Sequence, residues 1–251
     1  MSKKFMQATS PLFSCHGDRM PADVEERLRR VRTVRQELHA SGPKWSRPFV
    51  GDFERVALPV LDCDALRDTL AARDAHVVIE VGLAYGSSAL AIAEALCMTG
   101  TTRAAHVVID PFQATEYNNV GLDALKSAHV ADQTRFIDEP SSSALPRLTA
   151  ERFTADAAFV DGSHRFHEVF VDLYFLRKLV RPGGLIIMDD AAWPSVATAL
   201  RYFDLNLGWR PIEIAGRLTA RQLPAELSEP AFTDFKAFGE ACTSRLMSEL
   251  K

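Results

Sequence analysis

The feature that most constrains the fold of this chain is a strand pattern, a glycine-spaced turn and a helical pattern in direct succession. Residues 77–81 are a short β-branched run that carries one acid, Glu80. Gly82 and Gly86 follow, and an alanine-rich helical pattern begins at Ser87. Glycines at such a turn let the backbone approach a ligand where a Cβ atom would collide. The segment therefore predicts a buried strand, a tight ligand-facing loop and a helix directly behind the loop.

The same turn argues against a bound dinucleotide. Its spacing is E-x-G-x-x-x-G, and Ala84 stands where the dinucleotide fingerprint G-x-G-x-x-G has its middle glycine. That glycine lets the pyrophosphate come close to the N-terminus of the helix, so this loop suits a ligand without phosphates better. We therefore keep a nicotinamide-dependent oxidoreductase only as a less favoured alternative.

Downstream of this unit, apolar strand patterns alternate with helical patterns. Apolar strands separated by helices indicate a parallel sheet with right-handed crossovers. We predict an α/β fold with a doubly wound, mostly parallel, Rossmann-like sheet, in which ligands bind at the carboxyl ends of the strands. In the tail, Phe235 and Phe238 fit a terminal amphipathic helix. The predicted strands cover residues 77–81, 105–109, 134–137, 157–160 and 184–188, and the predicted helices cover residues 87–98, 120–130, 142–149 and 165–179.

The front of the chain has a different pattern. Apolar residues recur at helical spacing from about residue 21 to 39, and residues 52–73 predict one or two further helices. We therefore expect an N-terminal arm and helical cap over residues 1–75, and a Rossmann-like cofactor-binding and catalytic domain over residues 76–251. Contact with a second copy of the chain, in a homo-oligomer, explains the front helices equally well.

Composition excludes several classes of protein. A formal net charge of -4 and a pI of about 6.0 give no basic surface for nucleic acid. No apolar run reaches the ~18 residues needed to cross a membrane, and the N-terminus lacks the apolar core of a signal peptide. The four cysteines are widely spaced, which argues against structural zinc and a disulfide framework. We expect a cytoplasmic protein that binds neither nucleic acid nor a membrane.

Carboxylates collect at the predicted strand ends. Asp110 follows the second strand, where a carboxylate can bind both ribose hydroxyls of a nucleoside. Asp161 follows the fourth strand, and Asp189 and Asp190 follow the fifth. Three carboxylates in one small volume repel each other unless a proton or a cation is bound. Hard oxygen ligands suit Mg²⁺ or Mn²⁺ much better than zinc, so we predict a divalent-metal site there.

Two histidines compete for the role of general base. His164 lies three residues after Asp161, near the start of a predicted helix. A histidine there can reach a substrate oxygen held by the metal, and the unperturbed histidine pKa of ~6.5 suits a base at neutral pH. His167, three residues further on, competes for the role, and the choice stays open. Trp193, three residues after Asp190, is the aromatic residue that we expect closest to a substrate.

Four motifs together carry a family resemblance. They are the E-x-G-x-x-x-G turn at 80–86, D-G-S-H at 161–164, R-P-G-G at 181–184 and D-D at 189–190. This set resembles class I S-adenosylmethionine-dependent methyltransferases. Within that family it resembles the metal-dependent O-methyltransferases of bacterial natural products, including sugar and macrolide types.

The resemblance implies a reaction and a set of site residues. S-adenosylmethionine is expected on the glycine loop, and its methyl group is expected to pass to a hydroxyl of a small metabolite held by Mg²⁺ or Mn²⁺. The implied cofactor contacts are Glu80, Gly82, Tyr85, Gly86, Ser87, Asp110, Ser141 and Asp161, the implied metal ligands are Asp161, Asp189 and Asp190, and the implied catalytic base is His164.

Metal-free methyl transfer to nitrogen is an alternative within the family. Adenine- and glutamine-directed N-methyltransferases carry an Asn- or Asp-Pro-Pro-aromatic motif after strand four, where this chain has the D-G-S-H block. That subgroup is therefore disfavoured. Other small-molecule N-methyltransferases lack the motif, so metal-free N-methylation of a small molecule stays open.

Overall fold

The computed structural model of the protein describes residues 22–43, 53–101 and 105–237. Within those residues the chain forms eight α-helices and seven β-strands, and none of these helices is long and apolar enough to cross a membrane. The helices are α1 (Ala22–Ser41), α2 (Phe53–Val56), α3 (Val60–Ala72), α4 (Ser87–Met98), α5 (Val120–Ser127), α6 (Ser141–Ala150), α7 (Phe166–Leu179) and α8 (Pro194–Leu207). The strands are β1 (Val78–Val81), β2 (His106–Ile109), β3 (Thr134–Ile137), β4 (Ala155–Val160), β5 (Val180–Met188), β6 (Arg210–Ile212) and β7 (Thr219–Gln222).

The seven strands form one sheet in the order β3-β2-β1-β4-β5-β7-β6. The strands from β1 to β5 are parallel, whereas β7 runs antiparallel to both β5 and β6. The predicted doubly wound, mostly parallel, Rossmann-like fold is confirmed. Because the chain order reverses between β1 and β4, the carboxyl ends of these two strands form the crevice in which such sheets bind ligands.

The central strands are buried on both faces, as the helices on the two sides of a parallel sheet require. Every residue of β1 and β2 is buried. Branched apolar side chains fill most of these positions, since they pack well on a pleated surface. Glu80 and His106 are polar exceptions within these strands, and they contact each other: His106 Nε2 lies 2.8 Å from Glu80 Oε2.

Helix α4 is the centre of the front half of the molecule. Its residues from Ser87 to Cys97 are all buried, because α1 and α3 pack on it as well as the sheet. Alanines at alternate positions of α4 leave room for this close packing. The helices expected in the front section are therefore present, and their apolar faces join the core of the sheet. The domain boundary at residue 75 stays a prediction.

The tail departs from what the sequence led us to expect. Strands β6 and β7 extend the sheet as an antiparallel pair, where no strand was predicted. Both strands are short and only partly buried, so they lack the apolar run that marks a central strand. Residues 231–237 contain a turn and no helix, so the helix predicted around Phe235 is wrong over these residues. Phe238 lies outside the described residues.

A buried ion pair joins α1 to α4 and provides a test of the fold. Glu94 Oε2 accepts a hydrogen bond from Arg35 Nη1 at 2.6 Å, and the two side chains are 3% and 8% exposed. Glu94→Leu would leave the Arg35 guanidinium without this buried partner. We expect the free energy of unfolding, measured with urea, to fall by roughly 3–5 kcal/mol. The control is Glu26→Leu, which removes an exposed pair with Arg29 and should change stability little. Equal losses in the two variants would contradict the packing described here.

Candidate functional site

The ends of three strands meet at one edge of the sheet. The last residues of β1, β4 and β5 are in register with one another. The residues that follow them, Gly82, Asp161 and Asp189, therefore leave the sheet side by side. The amide N–H of Asp161 donates to the carbonyl oxygen of Val81 at 2.9 Å, and that of Asp189 donates to Val160 at 3.2 Å. The glycine loop and the acids after β4 and β5 are thus fixed at the same edge.

The glycine loop, residues 82–86, has a left-handed backbone at three positions. The φ angle is +93° at Gly82, 44° at Ala84 and +87° at Gly86. A Cβ atom on Gly82 would lie 2.1 Å from the carbonyl oxygen of Asp161, and one on Gly86 would lie 3.2 Å from the Cα atom of Gly121. Close backbone packing therefore requires glycine at both positions. The loop lies directly against the start of the segment that follows β4.

Asp110 holds this loop from the end of β2. Its Oδ2 atom accepts hydrogen bonds from the amides of Leu83 and Ala84 and from Gln113 Nε2, each at 3.0 Å. Its Oδ1 atom accepts a hydrogen bond from the Phe112 amide at 2.7 Å. The carboxylate is buried and already has four protein donors. Its observed partners fix the conformation of the glycine loop, and its contact with a ribose stays a prediction.

Glu80 does not reach the surface of the loop. Its carboxylate is fully buried: Oε1 accepts a hydrogen bond from Ser88 Oγ at 2.5 Å, and Oε2 lies against the imidazole of His106. Burying a carboxylate without such partners would be costly. The carboxylate of Glu80 is therefore directed into the core, and its direct contact with a ligand stays a prediction. Its partners tie β1 to the first turn of α4 and to the start of β2.

Two further residues of the predicted cofactor set are buried. The ring of Tyr85 makes edge contacts with Phe53 and Tyr117, with ring centroids 5.5 and 5.2 Å apart. Ser87, the first residue of α4, is 3% exposed. Both residues belong to the packing that supports the loop.

Ser141 is the first residue of α6 and is partly exposed at the same edge of the sheet. Its hydroxyl donates a hydrogen bond to the buried carboxyl of Asp172 on α7. Burial raises the pKa of Asp172 to about 7, while this hydrogen bond acts in the opposite direction. The contact between Ser141 and an adenine ring stays a prediction.

Three side chains form a compact cluster that has the ligand types of a metal site. One ligand atom from each of Asp161, His164 and Asp190 lies within 4.8 Å of the other two. Within the cluster, His164 Nε2 is 2.9 Å from Asp190 Oδ2. The acids after β4 and β5 therefore come together, and a histidine joins them.

Asp189, the third acid of the predicted metal set, has a different environment. Its Oδ2 atom accepts a hydrogen bond from Arg217 Nη2 at 2.7 Å, and its Oδ1 atom accepts one from the amide of Asp190 at 2.8 Å. Asp189 is 4% exposed, so the guanidinium of Arg217 supplies the counter-charge that a buried carboxylate needs. The role of Asp189 as a metal ligand stays a prediction.

The electrostatics of the cluster favour a cation. Burial, together with the neighbouring charges of Asp189 and Asp190, raises the pKa of Asp161 to about 7, although Arg217 opposes the shift. A divalent cation would relieve this repulsion by favouring the ionised form of Asp161. The residues present therefore fit a hard divalent ion.

The two candidate bases, His164 and His167, have different surroundings. The imidazole of His164 stacks on Trp193, with ring centroids 5.0 Å apart and an interplanar angle of 25°. Trp193 is 53% exposed, so it offers part of its surface to solvent beside the cluster. His167 is largely exposed, and its nearest acid is Glu168 at 3.9 Å. The geometry therefore favours His164 over His167.

The sequence analysis missed Arg217 and its second partner. Arg217 precedes β7 and reaches both Asp189 and Asp62, a buried acid on α3. Neither residue stands in a motif, and they are separated by most of the chain. The one local signal is the glycine before Arg217, which marks a turn but not its partner.

The fold and the strand-end residues define a class of protein. Residues 79–191 match a family model described as a methyltransferase domain. The sheet order with an antiparallel β7 is the topology of the class I methyltransferases. The resemblance to class I S-adenosylmethionine-dependent methyltransferases noted in the sequence is confirmed for the segment that matches this model.

Three proteins that resemble this chain are methyltransferases by name. The chain is 34% identical over 123 residues to the flavonoid 3′,5′-methyltransferase of Vitis vinifera, a match covering 48% of this chain and 49% of that protein. It is 32% identical over 126 residues to caffeoyl-CoA O-methyltransferase 2 of Zea mays, covering 47% and 43%. The chain thus spans about half the length of these relatives. The O-methyltransferase TomG of Streptomyces achromogenes, solved in complex with SAM, has the same fold: the TM-score is 0.52 at 20% identity, over 79% of this chain and 90% of TomG.

The raised pKa of Asp161 predicts a pH-dependent stability. With divalent cations chelated, the native state disfavours ionised Asp161, so its contribution to stability is present near pH 4 and is lost as pH rises through about 7. Asn cannot ionise. We expect Asp161→Asn to raise Tm relative to wild type by at least ~3 °C more at about pH 8 than at about pH 5.5, measured by thermal unfolding.

Asp156→Asn is the matched control for this prediction. Burial alone would raise the pKa of Asp156, but hydrogen bonds from Arg181 and from the His76 and Val77 amides outweigh it and lower the pKa. Asp156 is therefore ionised at both pH values, and its replacement should lower Tm equally at both. A constant effect of Asp161→Asn across the two pH values would contradict the account of the cluster.

Proposed function

We propose that this protein transfers a methyl group from S-adenosylmethionine to a hydroxyl group of a small metabolite, with Mg²⁺ or Mn²⁺ at the same site. One observation carries the proposal. Ligand atoms of Asp161, His164 and Asp190 lie within 4.8 Å of one another, and the backbone of Asp161 packs on the glycine loop at Gly82. A methyl donor on the loop and an acceptor at the cluster would be neighbours, as direct transfer requires.

The cofactor part of the proposal concerns the carboxyl ends of β1 and β2. S-adenosylmethionine, when bound, supplies an activated methyl group. We assign its direct contacts to Gly82 and Ala84 of the loop, to Asp161 and to Ser141, which are partly exposed. Asp110 holds the loop through its four hydrogen bonds, and we propose that it also binds the ribose.

Three residues of the cofactor set support the loop from within the core. Glu80, Tyr85 and Ser87 are buried, so their effect on cofactor binding would pass through the position of the loop. Gly86 belongs with them, since its packing on Gly121 fixes the start of α4.

The metal part of the proposal rests on donor chemistry. Asp161, Asp189 and Asp190 offer hard oxygen atoms of the kind that Mg²⁺ and Mn²⁺ prefer. A bound divalent cation lowers the pKa of a hydroxyl that coordinates it. The same charge would offset the repulsion that raises the pKa of Asp161.

His164 is the proposed catalytic base. Asp190 at 2.9 Å orients its imidazole, and the stacked ring of Trp193 restricts the rotation of that imidazole. In the proposed reaction His164 accepts the proton of the acceptor hydroxyl. With S-adenosylmethionine bound, the oxygen would form its bond to the methyl carbon as the carbon–sulfur bond broke, and S-adenosylhomocysteine would leave.

The acceptor is proposed to be a phenolic hydroxyl. The names of two relatives specify caffeoyl-CoA and flavonoids, both of which carry phenolic rings. Trp193 lies beside the cluster with half of its surface exposed, and an aromatic acceptor would stack on such a surface. We place the reaction in the cytoplasm, where free thiols such as those of Cys63 and Cys97 persist.

Metal-free methyl transfer is the second candidate. One observation favours it: Arg217 already neutralises Asp189, one of the three proposed metal ligands. A nicotinamide-dependent oxidoreductase has less support. The Tyr174-x-x-x-Lys178 sequence on α7 has the spacing of a catalytic pair in some such enzymes, but Lys178 Nζ lies over the ring of Tyr174, 4.4 Å from its centroid, on an exposed part of the helix.

Calorimetry tests the cofactor and the metal together. We expect wild type and Asp190→Ala both to bind S-adenosylmethionine with micromolar affinity, and Mg²⁺ to give a binding heat only with wild type. Cofactor binding without any metal response in either protein would favour metal-free transfer. Absence of cofactor binding from wild type would contradict the proposed function.

The base is tested by a matched pair of variants. We expect His164→Gln to lower the rate of methyl transfer to a phenolic acceptor by roughly 10²–10⁴-fold with cofactor affinity unchanged. His167→Gln, which alters the exposed histidine in the first turn of α7, should keep the wild-type rate. The measurement is incorporation of labelled methyl groups into caffeoyl-CoA and a panel of flavonoids. Equal rates for His164→Gln and wild type would exclude His164 as the base.

A further inference from the structure

Arg217 connects the acidic cluster to the front helices. Its Nη2 atom lies 2.7 Å from Asp189 Oδ2, and its Nε atom lies 3.3 Å from Asp62 Oδ2. Both acids are buried, at 4% exposure each, whereas the side chain of Arg217 is 53% exposed. One guanidinium therefore serves two buried carboxylates that come from opposite ends of the chain.

The backbone around Arg217 holds its side chain in this position. The amide of Arg217 donates to Asp62 Oδ1 at 2.8 Å, so Asp62 binds both the main chain and the side chain of the same residue. A Cβ atom on Gly216, where φ is +75°, would lie 2.0 Å from Asp62 Oδ1. Only glycine permits this approach. The next strand, β7, begins at Thr219, which pairs with the last residue of β5, so the turn is anchored beside the cluster.

Both carboxylate oxygens of Asp189 already accept a hydrogen bond. Its Oδ1 atom accepts the amide of Asp190 within the turn after β5, and its Oδ2 atom accepts Arg217. A divalent ion bound through Oδ2 would bring two positive groups to the same oxygen, and they would repel strongly in a buried site. The ion and the guanidinium therefore exclude each other at this atom.

Resting on the proposed metal-assisted reaction, we propose that Arg217 is an internal competitor that sets the affinity of the site for divalent cations. The guanidinium holds Asp189 when no ion is bound, and it leaves Oδ2 when an ion enters. Asp62 keeps Arg217 close enough to return. The site would then bind Mg²⁺ or Mn²⁺ more weakly than three free carboxylates would.

Competition differs from a general effect of charge in one measurable respect. Long-range electrostatics predicts that Arg217→Gln strengthens cation binding whether or not the Asp189 carboxylate is present. Competition predicts a gain only when Asp189 is present, because the guanidinium acts through its hydrogen bond to Asp189 Oδ2.

Titration of the full chain with Mn²⁺, with free ion counted by electron paramagnetic resonance, tests the proposal. We expect Arg217→Gln to bind Mn²⁺ roughly tenfold tighter than wild type. In an Asp189→Asn background, Arg217→Gln should have no effect. Arg221→Gln, which removes the same charge from a pair with Asp204, should stay within about twofold of wild type.

Several outcomes would overturn the proposal. Equal Mn²⁺ affinity in wild type and Arg217→Gln, or an equal gain with and without Asp189, would exclude competition and leave the metal site intact. No Mn²⁺ binding by any of these proteins would reject the metal site and the competition together. If Arg217→Gln does not fold, Arg217→Lys replaces it: one ammonium group cannot bridge both acids, and an intermediate gain in affinity is expected.

Discussion

The backbone contact between Gly82 and Asp161 is the constraint on which the whole site depends. Because β1, β4 and β5 end in register, the loop after β1 and the acid after β4 must share one edge of the sheet. The left-handed glycine lets these two backbones touch, and a Cβ atom would collide with the carbonyl oxygen of Asp161. Both the cofactor loop and the acidic cluster are therefore positioned by rigid strands, which is the arrangement that precise group transfer requires.

The two halves of the site are stabilised in different ways. At the glycine loop, Asp110 receives four hydrogen bonds and fixes the loop, while Glu80 contacts Ser88 and His106 within the core. At the acidic cluster, Asp161 has a raised pKa, and Arg217 balances part of the negative charge. The carboxylates at the loop therefore have protein partners, whereas the cluster retains an excess of negative charge. In the proposed function, a divalent cation would balance that excess.

Features of the fold and the site that depend on local interactions were predictable from the sequence. The strands, the main helices and the position of the glycine loop were predictable because each depends on local periodicity and turn chemistry. The proximity of Asp161 to Asp190 was predictable because parallel strands place their ends at one edge. His164 was predicted beside the acids from its spacing alone, and the stacked Trp193 was expected there as well.

What the sequence did not predict depends on long-range contacts. Glu80 was expected at the ligand, but its partners come from the next strand and helix, and no local pattern shows which way a strand carboxylate will be paired. Strands β6 and β7 lack an apolar run. Arg217 finds Asp62 only because β7 pairs with β5 and α3 packs on α4. Arg217 and Asp62, which pair beside the acidic cluster, thus come from parts of the chain without a recognisable motif.

The most direct test of the central claim is a crystal structure with S-adenosylhomocysteine and Mn²⁺, using the anomalous signal of manganese. We expect the nucleoside at the carboxyl ends of β1 and β2, and one anomalous peak among Asp161, Asp189 and Asp190 with Arg217 moved off Asp189. S-adenosylhomocysteine on the glycine loop with no peak, and with Arg217 still on Asp189, would contradict metal assistance. Density for the nucleoside at any other edge of the sheet would contradict the account as a whole.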